Sequence, residues 1–229
     1  MQKDSEMGTQ RTMLEGKLRA KWYWFARWVC RVFCILFFRV RTYGQDNIPR
    51  KGPFIIVSNH QSNLDPIFCG GLIKRRSIFI ARASLFTNWF FGPLIRSVNA
   101  IPVKVGEPDI STMRKVIERL KQGGGVTLFP EGTRTHDGKI TPFKPGLGLL
   151  SRRGKAPIVP VVIDGAFECW PRHQKLFTPG PIRVTYGKPI TTKQAKDMGD
   201  EKLAELLTQT LRKMQTQSRI KQGKKPFDY

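Results

Sequence analysis

Short apolar runs recur along the chain and are separated by segments with helical periodicity. Six runs have the composition of buried strands, at 54–57, 77–81, 100–103, 126–129, 158–163 and 182–186. Apolar positions three and four apart predict a helix over 109–122, capped by Asp109 or Ser111 and stopped by the glycines at 123–125, and another from about 200 to 214. Nearly continuous apolar strands that alternate with helices predict an α/β fold, with a mixed, largely covered sheet and flanking helices.

The segment 22–40, "WYWFARWVCRVFCILFFRV", has a different pattern. Its apolar and aromatic side chains recur at helical spacing and are interrupted by arginines. Arg27, Arg31 and Arg39 limit the longest charge-free run to the seven residues 32–38, whereas a membrane-spanning helix needs about 18. The pattern therefore predicts an aromatic amphipathic helix that does not cross a membrane.

Two interpretations fit this helix. It can pack on the protein's own core, or it can lie in a membrane interface with its arginines at the headgroups. A second charge-free run of thirteen residues, 83–95, is also rich in Phe and Trp, which favours the membrane. The predicted organisation is a mobile N-terminus over 1–13, a membrane-interface helical segment over 14–41, an α/β domain over 42–217 and a solvated basic tail over 218–229.

The charge balance narrows the choice of partners. The 229 residues suffice for one large core, and they carry a formal net charge of +23, from 40 Lys and Arg against 17 Asp and Glu. Nucleic acid, an anionic membrane surface or a phosphorylated substrate would suit this charge. Three histidines and four cysteines without a C-x-x-C spacing predict no metal site. Because residues 1–21 contain no signal-peptide pattern, we expect the chain at the cytoplasmic face of the membrane, bound monotopically or peripherally.

The first candidate for chemistry is "SNHQSNLD", residues 58–65, directly after a predicted strand. Asp65 followed by Pro66 is typical of a helix start, so one interpretation is that Asp65 simply caps a helix. A histidine at the carboxyl end of a strand, with a carboxylate nearby, is also typical of a general base held in one tautomer. His60 and Asp65 are therefore a candidate catalytic pair, and the two interpretations are compatible.

The second candidate is "LFPEGTRTHDGK", residues 128–139, which also follows an apolar strand. Its turn-forming residues are compatible with a solvated loop in which Glu131 and Arg134 form a local ion pair. Backbone N–H groups beside an arginine at a strand end also suit phosphate recognition. In that interpretation Glu131, which cannot bind phosphate, orients Arg134 or hydrogen-bonds a substrate hydroxyl.

Together, "NHQSNLD" and the later "FPEGTR" resemble the N-H-x-x-x-x-D and F-P-E-G-T-R motifs of the glycerolipid acyltransferase family. The resemblance extends from about residue 40 to 190, with "AIPV" and "IVPVVI" similar to two further blocks, and the N-terminal helix is similar to the membrane-embedded hairpin of bacterial members. It implies a transferase that moves a fatty acyl group from acyl-CoA or acyl carrier protein to lysophosphatidic acid, giving phosphatidic acid in phospholipid biosynthesis. In the reaction that the resemblance implies, backbone N–H groups at the helix start after Asp65 could stabilise the oxyanion. No cofactor other than the thioester co-substrate and no covalent acyl-enzyme are implied.

The resemblance also implies roles for individual residues. His60 would be the general base and Asp65 its orienting partner, while an acceptor-phosphate pocket would be lined by Glu131, Gly132, Thr133 and Arg134. Two further positions depart from the family pattern. Lys104 stands one place before the position where many members carry arginine, and a slip of one residue on a strand faces the opposite side. Arg82 keeps the positive charge of a family Lys block and is a secondary substrate contact.

Other functions remain open at this stage. The motifs would equally serve another lysophospholipid or glycerol-3-phosphate as acceptor, since they bind a phosphate and position a hydroxyl. A cysteine nucleophile is conceivable at Cys69, one helical turn after Asp65. A non-enzymatic protein that binds membrane or nucleic acid through charge would leave both motif loops without a purpose, and we expect no nucleic-acid partner. Acyl chain length, the donor thioester and the oligomeric state have no signal in the motifs.

Overall fold

The structure, a computed structural model, describes residues 22, 24–87, 89, 92, 95, 100–103 and 110–229. The strands are β1 (Arg41–Tyr43), β2 (Phe54–Ser58), β3 (Ser77–Arg82), β4 (Ile101–Val103), β5 (Gly125–Leu128), β6 (Ile158–Asp164) and β7 (Arg183–Tyr186). The helices are α1 (24–38), α2 (Ile110–Lys121), α3 (Leu147–Gly154), α4 (Ala166–Cys169), α5 (Thr192–Met198) and α6 (Asp200–Ile220). A π-helical turn spans Ile67–Gly71, and 3₁₀ turns span Gln45–Asn47 and Ala83–Phe86.

The strands form one mixed sheet in the order β1-β7-β6-β2-β5-β3-β4. Neighbouring strands are parallel except β6 and β7, which are antiparallel. The predicted α/β fold with a mixed sheet is confirmed. The carboxyl ends of β2, β5 and β6 therefore lie at one edge of the sheet, which we call the carboxyl edge. Both sequence motifs follow strands that end there.

Alternating side chains of the central strand pack on opposite faces of the sheet. Ile55 and Val57 belong to a core cluster completed by α2, α3, α5 and α6. Phe54 and Ile56 belong to a second cluster completed by α1, α4 and the segment after β2. All four side chains are fully buried. Helices therefore cover both faces, as the continuous apolar runs predict.

Helix α1 is two-sided. Ala26, Cys34 and Phe38 are buried in the second core cluster, and the Arg27 guanidinium donates to the backbone carbonyls of Ile73 and Arg75. The opposite side exposes apolar residues, with exposed fractions between 43% for Val29 and 70% for Leu36. This exposed face of α1 consists of Trp24, Phe25, Trp28, Val29, Ile35 and Leu36. Part of the stripe predicted as one continuous face therefore packs on the core.

Several sequence predictions fall partly or wholly outside the described residues. The N-terminus 1–13, with its predicted mobility, and residues 14–21 of the predicted membrane-interface segment are among them, as are parts of the apolar run 83–95. Within that run, the Trp89 side chain is 85% exposed. Among the helices of the described residues, none is long and apolar enough to cross a membrane.

The predicted solvated tail differs from the structure. Helix α6 extends to Ile220, and the residues beyond it pack against the helix and the loop before α3. The Arg219 guanidinium carbon lies 4.0 Å from the centroid of the Phe227 ring. The Tyr229 hydroxyl accepts from the Ile140 N–H at 3.3 Å and donates to the Gln215 side chain. Phe227 and Tyr229 thus contact cationic and polar groups of the domain. The basic composition of the segment did not predict these contacts.

Substitution of Gly125 tests the fit of the sheet against its second face. A Cβ at this position would overlap the ring of the fully buried Phe54, so we expect Gly125→Ala to lower the free energy of unfolding by roughly 1–3 kcal/mol. Gly71→Ala is the matched control, because its Cβ would lie 3.4 Å from Ile67 Cγ2, an ordinary contact. Urea denaturation followed by circular dichroism measures both. Equal stability of the two variants would contradict the steric argument.

Candidate active site

His60 and Asp65 are in direct contact at the carboxyl edge. His60 lies two residues beyond the end of β2, and its Nδ1 is 2.8 Å from Asp65 Oδ2. The Asp65 side chain is fully buried, whereas 21% of the His60 side chain is exposed. Because a carboxylate only accepts, Nδ1 carries the proton and donates it, and Nε2 is left with a free lone pair. This is the tautomer that a general base requires.

The same oxygen of Asp65 shapes the loop between the two residues. Oδ2 also accepts from the backbone N–H groups of Gln61 at 2.5 Å and Ser62 at 2.7 Å. The carboxylate therefore caps residues that precede it and forms no hydrogen bond to the helical turn that follows, so the predicted N-cap of a helix is wrong. The helix does begin here, with Asp65 and Pro66 in helical conformation.

The expected oxyanion donors at this helix start are also engaged. The N–H of Asp65 donates to Ser62 O at 3.3 Å, and those of Ile67 and Phe68 donate to Leu64 O at 2.9 and 3.0 Å. Pro66 has no N–H to offer. The N–H groups of Asp65, Ile67 and Phe68 are therefore already hydrogen-bonded within the turn and are not available to an oxyanion.

The ring of His60 packs on the second motif. It stacks on Phe129, with 4.3 Å between ring centroids and 23° between ring planes. Phe129 follows β5, the neighbour of β2 in the sheet, and is half-buried. Together the Nδ1 hydrogen bond and this stacking restrain both the position and the rotation of the imidazole.

Backbone hydrogen bonds join the two motif loops. The His60 N–H donates to Glu131 Oε1 at 2.8 Å, and the Thr135 N–H donates to the His60 carbonyl at 2.8 Å. Glu131 Oε2 accepts from the N–H and the hydroxyl of Thr141, at 3.1 and 2.9 Å. Burial raises the pKa of the Glu131 carboxyl, and the donors from His60 and Thr141 oppose this rise. Glu131 thus links three chain segments, a use that the sequence did not indicate.

The remaining residues of the second motif lie between Glu131 and Thr135, the two residues that hydrogen-bond to His60. Gly132 and Thr133 are exposed and Arg134 is half-buried. Gly132 has φ near +74°, and a Cβ there would lie 3.2 Å from Lys144 Nζ. The Lys144 N–H donates to Pro130 O at 3.2 Å, which ties this lysine to the motif loop. Lys144 therefore adds a basic side chain at Gly132 that sequence reasoning, which identified Arg134, did not find.

Lys144 was missed because its sequence signal is weak. It is one of 40 Lys and Arg residues and lies ten positions after Arg134, in "TPFKPG". A basic residue flanked by Pro and Gly in a loop before a helix was the available signal. Only the fold brings this lysine over Gly132.

Two amides adjacent to His60 hold its loop in place. The Asn59 side chain donates to Ile163 O at 2.9 Å and accepts from Ile163 N–H at 2.8 Å. The Gln61 side chain donates to Gly138 O at 3.1 Å and accepts from Phe167 N–H at 3.2 Å. Both amides are buried. They match backbone donors and acceptors of β6 and the adjoining loops, and their sequence signal was the unusual density of polar residues after an apolar strand.

The other two predicted substrate contacts are Arg82 and Lys104, and only Arg82 lies within the described residues. Arg82 is the last residue of β3, two strands from β2, and its backbone lies toward the carboxyl edge. Lys104 lies in 104–109, outside the described residues. Among the described residues no group of three or more His, Cys, Asp and Glu side chains is arranged to hold a metal ion.

The geometry of Cys69 does not suit a nucleophile. Its side chain is fully buried, and burial together with the charge of Asp65 raises the pKa of the thiol well above its ordinary value. The thiolate is the reactive form of cysteine, so this environment suppresses reactivity. Cys69 is a packing residue of the second core cluster.

Comparison with known proteins places this site in a family. A family model described as Acyltransferase matches residues 39–164, a range that contains both motifs. A 1-acyl-sn-glycerol-3-phosphate acyltransferase of Bacillus subtilis is 31% identical over 152 residues, which are 66% of this chain and 73% of that protein. The chain belongs to the acyltransferase family.

Two further relatives extend the comparison. The 1-acyl-sn-glycerol-3-phosphate acyltransferase alpha of Homo sapiens is 33% identical over 163 residues, covering 67% of this chain and 56% of that protein. The crystal structure of the 1-acyl-sn-glycerophosphate acyltransferase PlsC from Thermotoga maritima superposes with a TM-score of 0.75 at 29% identity, covering 89% of this chain and 82% of that chain. The chain thus spans most of the bacterial relatives and about half the length of the human one.

The linking role of Glu131 is testable by a substitution that keeps its size. Glu131→Gln would turn an amide NH₂ toward donors that now meet a carboxylate, so we expect the free energy of unfolding to fall by roughly 1–3 kcal/mol. Glu118→Gln on α2, where the side chain is exposed, should change it by less than about 0.5 kcal/mol. Guanidinium denaturation measures both variants. An unchanged Glu131→Gln stability would mean that the link contributes nothing.

Proposed function

We propose that this acyltransferase moves a fatty acyl group from an acyl thioester to the free hydroxyl of 1-acylglycerol-3-phosphate, giving phosphatidic acid in phospholipid biosynthesis. The observation that carries the proposal is the His60–Asp65 pair, whose Nδ1 and Oδ2 atoms are 2.8 Å apart. A basic loop lies next to this pair, and both lie within the residues that the family model matches. The Bacillus, human and Thermotoga relatives are all named for acylation of this acceptor.

In the proposed mechanism His60 acts as general base. Its Nε2 takes the proton of the acceptor hydroxyl as the oxygen attacks the thioester carbonyl carbon. Asp65 stabilises the resulting imidazolium through Nδ1–H. Collapse of the tetrahedral intermediate breaks the C–S bond, and His60 returns the proton to the departing thiolate sulfur. The acyl group passes directly to the acceptor, with acyl-CoA or acyl carrier protein as the donor.

The acceptor phosphate is proposed to bind at the loop 131–134. The Arg134 guanidinium provides a planar donor set that suits phosphate oxygens. Lys144, whose ammonium lies over Gly132, adds a second positive charge at the same loop. The backbone at Gly132 is left-handed, a conformation that favours glycine. Because glycine has no side chain, a ligand can approach the main chain closely at this position.

Membrane attachment is part of the proposal, because the acceptor and product are lipids. The six residues of the exposed face of α1 are apolar, Arg31 is also exposed between Trp28 and Ile35, and Arg27 is turned inward onto backbone carbonyls. Tryptophan and phenylalanine side chains on such a face suit the headgroup boundary, and a net charge of +23 favours anionic lipid. We propose binding to one leaflet, at the cytoplasmic face.

Loss of the general base is the direct test of the mechanism. His60→Ala should reduce acyl transfer by about 10²–10⁴-fold or more, since no other base occupies its position. Cys69→Ala is the control and should keep at least about half of the turnover. The assay crosses several acyl-CoA chain lengths with lysophosphatidic acid, other lysophospholipids and glycerol-3-phosphate. A folded His60→Ala variant with near-native turnover excludes the mechanism, and preference for another acceptor replaces the proposed substrate.

The second basic residue of the loop is tested through substrate affinity. Lys144→Ala should raise KM for lysophosphatidic acid by about tenfold, because one charge-assisted contact to the phosphate is lost. We expect kcat to change by less than about threefold. Lys202→Ala, at an exposed position on α6, is the matched control. A KM that is unchanged in Lys144→Ala removes this lysine from the phosphate site.

A further inference from the structure

The loop between α4 and β7 carries a highly exposed leucine next to a phenylalanine that packs on α1. Leu176 is 81% exposed, more than any residue of the exposed face of α1. The neighbouring Phe177 ring lies 5.6 Å from those of both Phe33 and Phe37, and 5.2 Å from that of Phe38. The apolar tip of this loop is thus attached to the carboxyl-terminal half of α1.

Backbone hydrogen bonds give the loop a defined shape. The Thr178 N–H donates to Cys169 O at 2.7 Å and closes the loop at its base. The Trp170 indole N–H donates to Gln174 O at 3.1 Å. The Gly180 N–H donates to Phe37 O at 3.1 Å, satisfying a carbonyl at the end of α1. Leu176 therefore has a fixed position relative to the exposed face of α1. We call residues 171–177 the lip.

The charges of the lip are all positive. Arg172, His173 and Lys175 are exposed, and no acidic residue occurs between Glu168 and Asp197. Arg172 Nη1 lies 2.7 Å from His136 Nε2. A guanidinium only donates, so Arg172 is the donor in this contact. An exposed leucine among cations is the pattern that suits an anionic bilayer surface.

The position of the lip relates it to the active site. It follows β6, whose carboxyl end lies beside that of β2, the strand that leads to His60. Its partner His136 is two residues beyond Arg134 in the second motif loop. The lip, the end of α1 and the motif loops therefore occupy the same edge of the sheet.

We propose that the lip is a second membrane contact, separate from α1. Leu176 enters the headgroup boundary while Arg172 and Lys175 bind anionic headgroups. Contact at both α1 and the lip turns the carboxyl edge toward the bilayer, which brings a membrane-held acceptor to His60. The orienting effect on catalysis rests on the proposed function, whereas membrane binding by the lip does not.

An acidic protein, such as a carrier of the acyl thioester, is the main alternative partner for the basic side chains. It would account for Arg172 and Lys175. It would not account for a leucine that is 81% exposed, whose neighbour Phe177 packs on Phe33 and Phe37 of α1, so these observations favour lipid.

A fluorescent probe at the tip tests the proposal directly. Leu176→Cys is made in a Cys30→Ser background, since the other cysteines are buried, and is labelled with an environment-sensitive dye. We expect a blue shift and quenching by brominated lipid on vesicles of phosphatidylcholine with 30% phosphatidylglycerol, a composition of about one anionic lipid in three. Leu206→Cys on α6 is the control, because α6 covers the opposite face and Leu206 is 39% exposed. No response at 176, or a response only to acyl carrier protein, overturns the proposal.

Vesicle sedimentation measures how much the lip contributes to the affinity for the membrane. Leu176→Asp should weaken binding to these vesicles by about tenfold, and Leu206→Asp by less than about twofold. Lys175→Gln should weaken it by about fivefold at low salt, with a smaller effect at about 0.5 M salt, where the Debye length is roughly 4 Å. Unchanged binding of Leu176→Asp overturns the lip while leaving attachment through α1 intact.

Activity measurements separate the lip from the proposed function. Leu176→Asp should lower acyl transfer to lysophosphatidic acid held in vesicles by about tenfold and leave transfer to a monomeric short-chain acceptor unchanged. If the wild-type chain acylates neither acceptor, the proposed function fails, and the probe and sedimentation results still decide whether the lip binds lipid. Equal losses on both acceptors would place Leu176 in the fold or the active site and contradict the proposal.

Discussion

One buried carboxylate oxygen organises the candidate active site. Oδ2 of Asp65 accepts from the His60 ring and from two successive backbone N–H groups, all within 2.8 Å. The same interaction therefore folds the loop after β2 and sets the tautomer of the histidine. Because the carboxylate is fully buried, these donors have no competition from water, and the geometry exists before any substrate arrives.

The rest of the site is built onto that loop. Glu131 and Thr135 bind the backbone of His60 from the neighbouring strand end, and Asn59 binds the backbone of Ile163 on the other side. Parallel strands bring these connections together, since β2 lies between β5 and β6 in the sheet. The loop that carries the imidazole is thus held by hydrogen bonds at the ends of β5, β2 and β6. Such rigidity suits a reaction in which a base must meet one particular hydroxyl.

Helix α1 has two sides with different surroundings. Its inner side completes a core cluster through Cys34 and Phe38, and its outer side is apolar and exposed. Packing of Phe177 on this helix connects it to the loop that follows β6. The core-helix interpretation is confirmed for the inner side, and the interface-helix interpretation stays a prediction for the outer side. They conflicted only because a sequence stripe does not reveal which of its members a neighbouring sheet will cover.

The sequence by itself determined the α/β class, the covered sheet and the residues of the candidate catalytic pair, because buried strands require continuous apolar runs and the motifs follow those strands directly. It placed Asp65 at a helix start but assigned its carboxylate to the wrong donors, since local capping rules ignore a turn closed upon His60. The three-residue β1, with no apolar run, and the packed tail at Phe227 and Tyr229 gave no such signal. Only the tertiary structure decided that Glu131 links the motif loops and that Lys144 lies over Gly132. Those contacts join residues from separate loops, and their geometry depends on how the strands align at the carboxyl edge rather than on any local pattern.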